Sequence, residues 1–212
     1  MSILDQLTAA MPAFSAFFAW VKAQLPVLPI IVPIMAAALT LLLPKGRAPY
    51  LWASFFSGFA FVTCILLFSE VSATGPISYH LGGWAPPVGI EYRVDLANAL
   101  VLLLVSGIAA IVFPFSYRSV QAEIDERQTP LFYGAFLISM TGLLGVTITG
   151  DAFNVFVFLE ISSLSGYALI AMGARRDRRA LTAAFNYLVM GTIGATFFVI
   201  GLGLLYQATG TL

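Results

Sequence analysis

The chain has 212 residues, 60% of them hydrophobic and 9% charged, with a mean hydropathy of +0.95. So apolar a composition excludes a globular protein surrounded by water, because too little polar surface exists to cover it. Ten basic and ten acidic residues cancel, leaving no field for a nucleic acid, and the single cysteine, Cys64, offers neither an internal disulfide nor a metal cluster.

The expected fold is an all-α integral membrane protein. Residues 1–26 form an N-terminal unit. Asp5 comes early and Lys22 late, the reverse of a signal peptide, so the unit is kept in the mature protein. Leu7 to Trp20 is short for a span and reads as an interfacial helix or as a tilted extra span.

Residues 27–212 read as one membrane domain. Crossing about 30 Å of hydrocarbon takes roughly 20 residues at about 1.5 Å each. Six segments qualify: Val27 to Leu43, Leu51 to Val71, Leu96 to Phe115, Leu131 to Thr149, Ala152 to Met172 and Leu181 to Tyr206. Pro44 to Pro49 ends the first, Tyr117 to Pro130 holds five charges, Gly150-Asp151 is a two-residue break, and Ala174 to Arg179 is a basic turn. Between the second and third spans, Ser72 to Asp95 carries β-favouring residues on either side of a Gly/Pro-rich turn. This reads as a short β-hairpin on the outer surface, with Trp84 and its neighbouring tyrosines at the membrane interface.

With six spans, Lys45, Arg47, Arg118, Arg127, Arg175, Arg176, Arg178 and Arg179 fall on one side, and Lys22 and Arg93 on the other. The positive-inside rule then places both termini outside, in a multi-pass protein of the cell (inner) membrane.

Glu160 reads as the only acidic residue inside any membrane-length segment, near the middle of Ala152 to Met172. A carboxylate in hydrocarbon costs roughly 2.5 to 3.5 kcal/mol, so it is a functional candidate by default, here for proton movement. The plain alternative is a protonated side chain that hydrogen-bonds a neighbouring helix and fixes packing. Ser163 lies on its face, Phe156 and Leu164 complete that stripe, and no lysine follows Lys45 to pair with it. Asn186 and Tyr187, in the first turns of the sixth span, are candidates for polar lining or for interhelix contact. Gly191, Gly194, Ala195, Gly201 and Gly203 make one side of that span small, a packing signal.

Asp95 and Asp151 each precede an apolar span and read as N-caps. His80 belongs to the outer loop, Pro114 reads as a kink or end of the third span, and Arg175 to Arg179 is a topology signal that can also touch lipid head groups. Phosphate-binding and dinucleotide fingerprints, metal-ligand spacings and supported catalytic triads are all missing from the sequence, so no cofactor, no metal and no self-contained enzyme is expected.

Three stretches carry a resemblance: Gly150-Asp-Ala-Phe-Asn-Val-Phe-Val-Phe-Leu-Glu-Ile-Ser-Ser-Leu-Ser-Gly-Tyr-Ala-Leu169, the loop from His80 to Asp95, and Ala183-Ala-Phe-Asn-Tyr-Leu-Val-Met-Gly191 running out to Leu212. They resemble the antiporter-like subunits shared by multi-subunit Na+/H+ (Mrp-type) antiporters, respiratory complex I and membrane-bound hydrogenases, most of all the D-type antiporter subunit. The resemblance covers nearly everything from Val27 onward. It implies that Glu160 belongs to a proton path, coupled to a lysine on a later helix and to the neighbouring subunit. Family members often carry a lysine where this chain has Asn186. The family fold has about fourteen helices built around inverted repeats, so the chain is expected to be an N-terminal portion of a longer subunit, or a half-subunit completed by a second polypeptide.

The implied function is a subunit of a proton-translocating complex exchanging monovalent cations, or the membrane arm of a complex I-like oxidoreductase or hydrogenase. Its partners would be other membrane subunits, protons, Na+ and lipid. A non-transporting scaffold is the alternative from a different class. A quinone pocket is a weaker third.

Overall fold

The computed structural model describes residues 2–84 and 89–210. Helix α1 (Ile3–Ala10) starts at Ser2, whose hydroxyl caps the Asp5 amide while the Asp5 carboxylate accepts from the Ser2 amide. A 3-10 turn at Pro12–Phe14 leads to α2 (Ser15–Gln24), so the stretch Leu7 to Trp20, expected as one helix, is divided at Pro12, which has no N–H to continue a helix. Helix α3 (Leu28–Thr40) leaves α2 at 86°. Its 13 residues reach about 20 Å, less than the hydrocarbon thickness.

Five helices among the described residues are long and apolar enough to cross a membrane, six when α2 and α3 count as one bent span. Four of the five are α4 (Arg47–Thr74), α5 (Leu96–Glu123), α7 (Ala152–Met172) and α8 (Arg179–Thr209). The other is formed by α6 (Thr129–Ile148) with the 3-10 turn before it. Two outcomes correct the sequence expectations. The last turns of α4 contain Glu70, so Glu160 is not the only acidic residue in a spanning helix. Pro114 does not end α5, and Tyr117 to Glu123, expected as loop, is its last two turns. Phe113, stacked on Phe136 at 4.1 Å, and the buried Val120 anchor the helix on both sides of the proline, which removes only one backbone hydrogen bond.

Helix α6 is the centre of the bundle, packed against α3, α4, α5 and α7, while α8 rests chiefly on α7. With no water to expel between spans, association depends on close packing. Glycines supply it: a Cβ at Gly142 would lie 2.7 Å from the Ser162 amide nitrogen, and one at Gly145 would overlap the Phe158 ring. Large apolar side chains such as Phe55, Ile108, Phe115 and Phe197 point outward.

The expected hairpin is present. Strands β1 (Ile77–His80) and β2 (Glu91–Val94) pair antiparallel, Ile77 opposite Val94 and His80 opposite Glu91. The prolines of its Gly/Pro-rich turn, within residues 85–88, lie outside the described residues. The hairpin is stitched to the α6–α7 break, where Tyr92 bridges Thr149 and the Gly150 amide donates to the Glu91 carbonyl at 2.9 Å. At the opposite end of the bundle Arg176 pairs with Glu123, Arg175 lies 3.5 Å from Asp125, and Arg47 donates to the Tyr117 hydroxyl.

Candidate functional site

Helix α7 is fixed at its N-terminal end before it reaches Glu160. Asp151 caps it, accepting from the amides of Phe153 at 2.8 Å and Asn154 at 3.3 Å, and the Asn154 side chain donates to Thr149 Oγ1. Asp95 caps α5 in the same way, so both aspartates are the N-caps expected of them. One side of α7 lies against the α6 glycines; another meets α8. Phe156 stacks on Phe198, and Tyr167 meets Tyr187 at 4.7 Å between ring centroids. Gly191 leaves room for the Tyr167 hydroxyl, which any Cβ there would overlap. A Cβ at Gly194, Gly201 or Gly203 would meet nothing within 4 Å among the described residues, so of the four glycines only Gly191 makes the close contact expected of them.

The antiparallel register set by those rings brings Glu160 opposite the α8 turn that begins at Thr192. Between the helices is an open cavity of about 380 Å³, lined by Phe156, Glu160, Thr192, Ala195, Thr196, Val199 and Ile200, with both threonines exposed. Glu160 stands about 12 Å along α7 from Ala152 and about 18 Å from Met172, well inside the helix. It is half-buried and forms no hydrogen bond or ion pair with any described residue. A carboxyl group in this position needs water or another charge, and the cavity has room for several waters.

Ser163 follows one turn along α7 from Glu160, Tyr187 packs on Tyr167, and Asn186 is exposed near the start of α8; none of the three is on the cavity wall. The wall's polar groups are instead Thr192 and Thr196. Their spacing of four residues is visible in the sequence, but their position opposite Glu160 depends on how α8 is rotated against α7. His80 stays in the hairpin, 3.3 Å from the Ser78 hydroxyl.

A second ionisable cluster was not expected. Lys22 Nζ lies 2.9 Å from both Glu70 Oε1 and Asp5 Oδ1, joining α2, α4 and α1 at the end opposite the arginines. Glu70 is buried, and its Oε2 has no partner among the described residues. The Lys22 ammonium hydrogen-bonded to Asp5 holds that carboxyl down to about 2. The signal for this cluster was Glu70 itself, one residue from the end of the second apolar segment.

Residues 149–212, which include Glu160 and all of α7 and α8, match the family model described as NADH:quinone oxidoreductase/Mrp antiporter, TM. Over 200 residues the chain is 40% identical to NADH-quinone oxidoreductase subunit N of Desulforudis audaxviator, a match covering 90% of this chain and 38% of that protein. By these matches the chain is similar to the antiporter-like membrane subunit family. The D-type Na(+)/H(+) antiporter subunit of Bacillus subtilis is 31% identical over 88% of this chain and 37% of its own length. Among solved structures, a chain of the membrane-bound sulfane sulfur reductase, an archaeal respiratory membrane complex, superposes with a TM-score of 0.77 at 33% identity, covering 91% of this chain and 38% of that one. The Mrp complex from Dietzia sp. DQ12-45-1b gives 0.78 at 24% identity over 90% of this chain and 35% of that one, a likeness of fold.

Two of the three branches named by the resemblance, the Mrp-type antiporters and the quinone oxidoreductases, are thus found among the relatives of this chain, which is a multi-pass membrane protein. It spans about 38% of the length of these curated relatives, corresponding to their N-terminal portion.

Proposed function

We propose that this chain is a subunit or half-subunit of a proton-translocating membrane complex of the monovalent cation/proton antiporter kind, with Glu160 as a protonatable relay. The observation that carries the reading is the unpartnered Glu160 carboxyl, far from both ends of α7 and facing a cavity shared with α8. An ionisable group so placed favours proton movement over packing, because a packing role would leave it hydrogen-bonded to a neighbouring helix. Ser163, Tyr187 and Asn186 supply polar groups further along the same helix pair, toward the arginine-rich end.

Its partners would be other membrane subunits, one of which, or a further segment, contributes the remaining helices and the cation that answers Glu160. The eight-to-two division of basic residues favours a cytoplasmic arginine-rich end and outer termini in the cell membrane. The 40% identity to an N-type quinone oxidoreductase subunit favours a second reading, the membrane arm of a complex I-like quinone oxidoreductase, with the same role for Glu160.

The test is Glu160→Gln in the complete complex, reconstituted in vesicles carrying a pH-sensitive dye. Assembly should be unaltered and proton-coupled flux reduced by about 10²–10⁴-fold, the range typical of a positioned proton-transfer group. Normal flux with the glutamine would end the relay reading.

A further inference from the structure

We propose that Thr192 and Thr196 are positioning residues, orienting the cavity water that exchanges protons with Glu160. This rests on Glu160 being the relay. The two hydroxyls are one turn apart on α8 and are the polar side chains, besides Glu160, on the cavity wall.

Their hydrogen bonds fix what they offer. Thr192 Oγ1 donates to the Leu188 carbonyl at 2.8 Å, and Thr196 Oγ1 donates to the Thr192 carbonyl at 2.7 Å. Back-bonding of this kind is how threonine is tolerated in an apolar helix, and Thr40, Thr63 and Thr141 do the same elsewhere. What distinguishes Thr192 and Thr196 is the cavity they share with a carboxyl group. With each hydroxyl hydrogen committed to the backbone, the oxygen presents only acceptor lone pairs.

A water between the helices therefore donates its hydrogens toward α8 and turns a lone pair toward protonated Glu160. When the proton leaves, the O–H bond on the carboxyl breaks and an O–H bond forms on that water, giving a carboxylate and a hydronium ion. Hydronium donates three hydrogen bonds and accepts none, and Thr192 Oγ1, Thr196 Oγ1 and the new carboxylate are all acceptors. The reverse step reprotonates Glu160 through the same water. A lining that presented donors would oppose the charge that develops.

The experiment compares the double variants T192V/T196V and T192S/T196S in the assembled complex, reconstituted as for Glu160→Gln. Valine keeps the branched shape and removes the acceptor oxygen; serine restores the oxygen and loses a methyl. The valine pair should lower proton-coupled flux by about ten- to a hundredfold, the factor that two lost hydrogen bonds represent, and the serine pair should return most of it. The infrared carbonyl band of protonated Glu160 should shift in the valine pair and recover in the serine pair. Parental flux in the valine pair beside an inactive Glu160→Gln overturns this inference alone, as does a serine pair as impaired as the valine pair, which would reveal packing. Full flux in Glu160→Gln overturns the relay reading and the inference together.

Discussion

Replacing Lys22 with methionine should strand Glu70. The Glu70 side chain is only 4% exposed, its Oε1 lies 2.9 Å from the Lys22 ammonium, and its Oε2 has no partner among the described residues. Methionine keeps most of the aliphatic stem and removes the charge, so the loss is chiefly electrostatic. Breaking a fully buried pair from one side costs about 3–5 kcal/mol, but Lys22 is 36% exposed and water reaches its outer edge. The expected cost is therefore about 2–3 kcal/mol, below that range. Adding Glu70→Gln removes the stranded charge, and the double variant should recover most of the loss, giving a coupling of about 1.5–3 kcal/mol. The pair, with the Ile3 amide donating to the Ser69 hydroxyl at 3.0 Å, holds α1 and α2 on α4. Thermal unfolding of the purified complex, with limited proteolysis at residues 1–26, reads both stability and docking. If Lys22→Met matches the parent within about 0.5 kcal/mol, or the double variant equals the sum of the singles, the pair is not what fastens the N-terminal unit.

Gly191→Leu should disturb α7–α8 packing by about 1–3 kcal/mol, because its Cβ overlaps the Tyr167 hydroxyl. A Cβ at position 194 meets nothing within 4 Å among the described residues, so an assembly defect in Gly194→Leu, seen as loss of co-purifying subunits, is expected where a partner helix is seated on α8. The two variants also separate a scaffold from a transporter: a scaffold should lose assembly in Gly194→Leu and keep its function in Glu160→Gln. For pH, Asp5 falls from 3.8 to about 2 on folding. A depressed carboxyl stabilises above its unfolded value and loses that contribution as pH falls through its folded value. Docking of α1–α2, followed by the fluorescence of the exposed Trp20 on α2, should hold down to about pH 4 and loosen between there and about pH 2. Lys22→Met should flatten that titration, and loosening that starts above about pH 5 would assign it to other groups.

Much of the architecture was legible because lipid imposes a simple length rule on apolar segments. Ala152 to Met172 has the same bounds as α7, since Asp151 marks its start and the basic turn its end. The end of α5 was not legible, because hydropathy marks where lipid stops and not where a helix stops, and Tyr117 to Glu123 remains helical beyond the apolar stretch. Glu160 stood out by its charge alone. Thr192 and Thr196 did not, because hydropathy fixes neither the rotation nor the register of one helix against another; here the Phe156–Phe198 and Tyr167–Tyr187 contacts set both.

The surroundings of Glu70 and Glu160 differ as a structural role and the proposed proton-handling one would require. Glu70 is buried and answered within the described chain by Lys22, which also binds Asp5, so moving a proton there would require breaking the ion pair that joins α2 to α4. Glu160 has no such answer among the described residues: no lysine follows Lys45, and the cavity it faces offers uncharged acceptor oxygens and space. Removing a charge from Glu70 should therefore register mainly in stability, and removing one from Glu160 mainly in flux. A carboxyl group can change protonation in each transport cycle only if neither state is locked by a permanent partner, and of the two, only Glu160 is without one among the described residues.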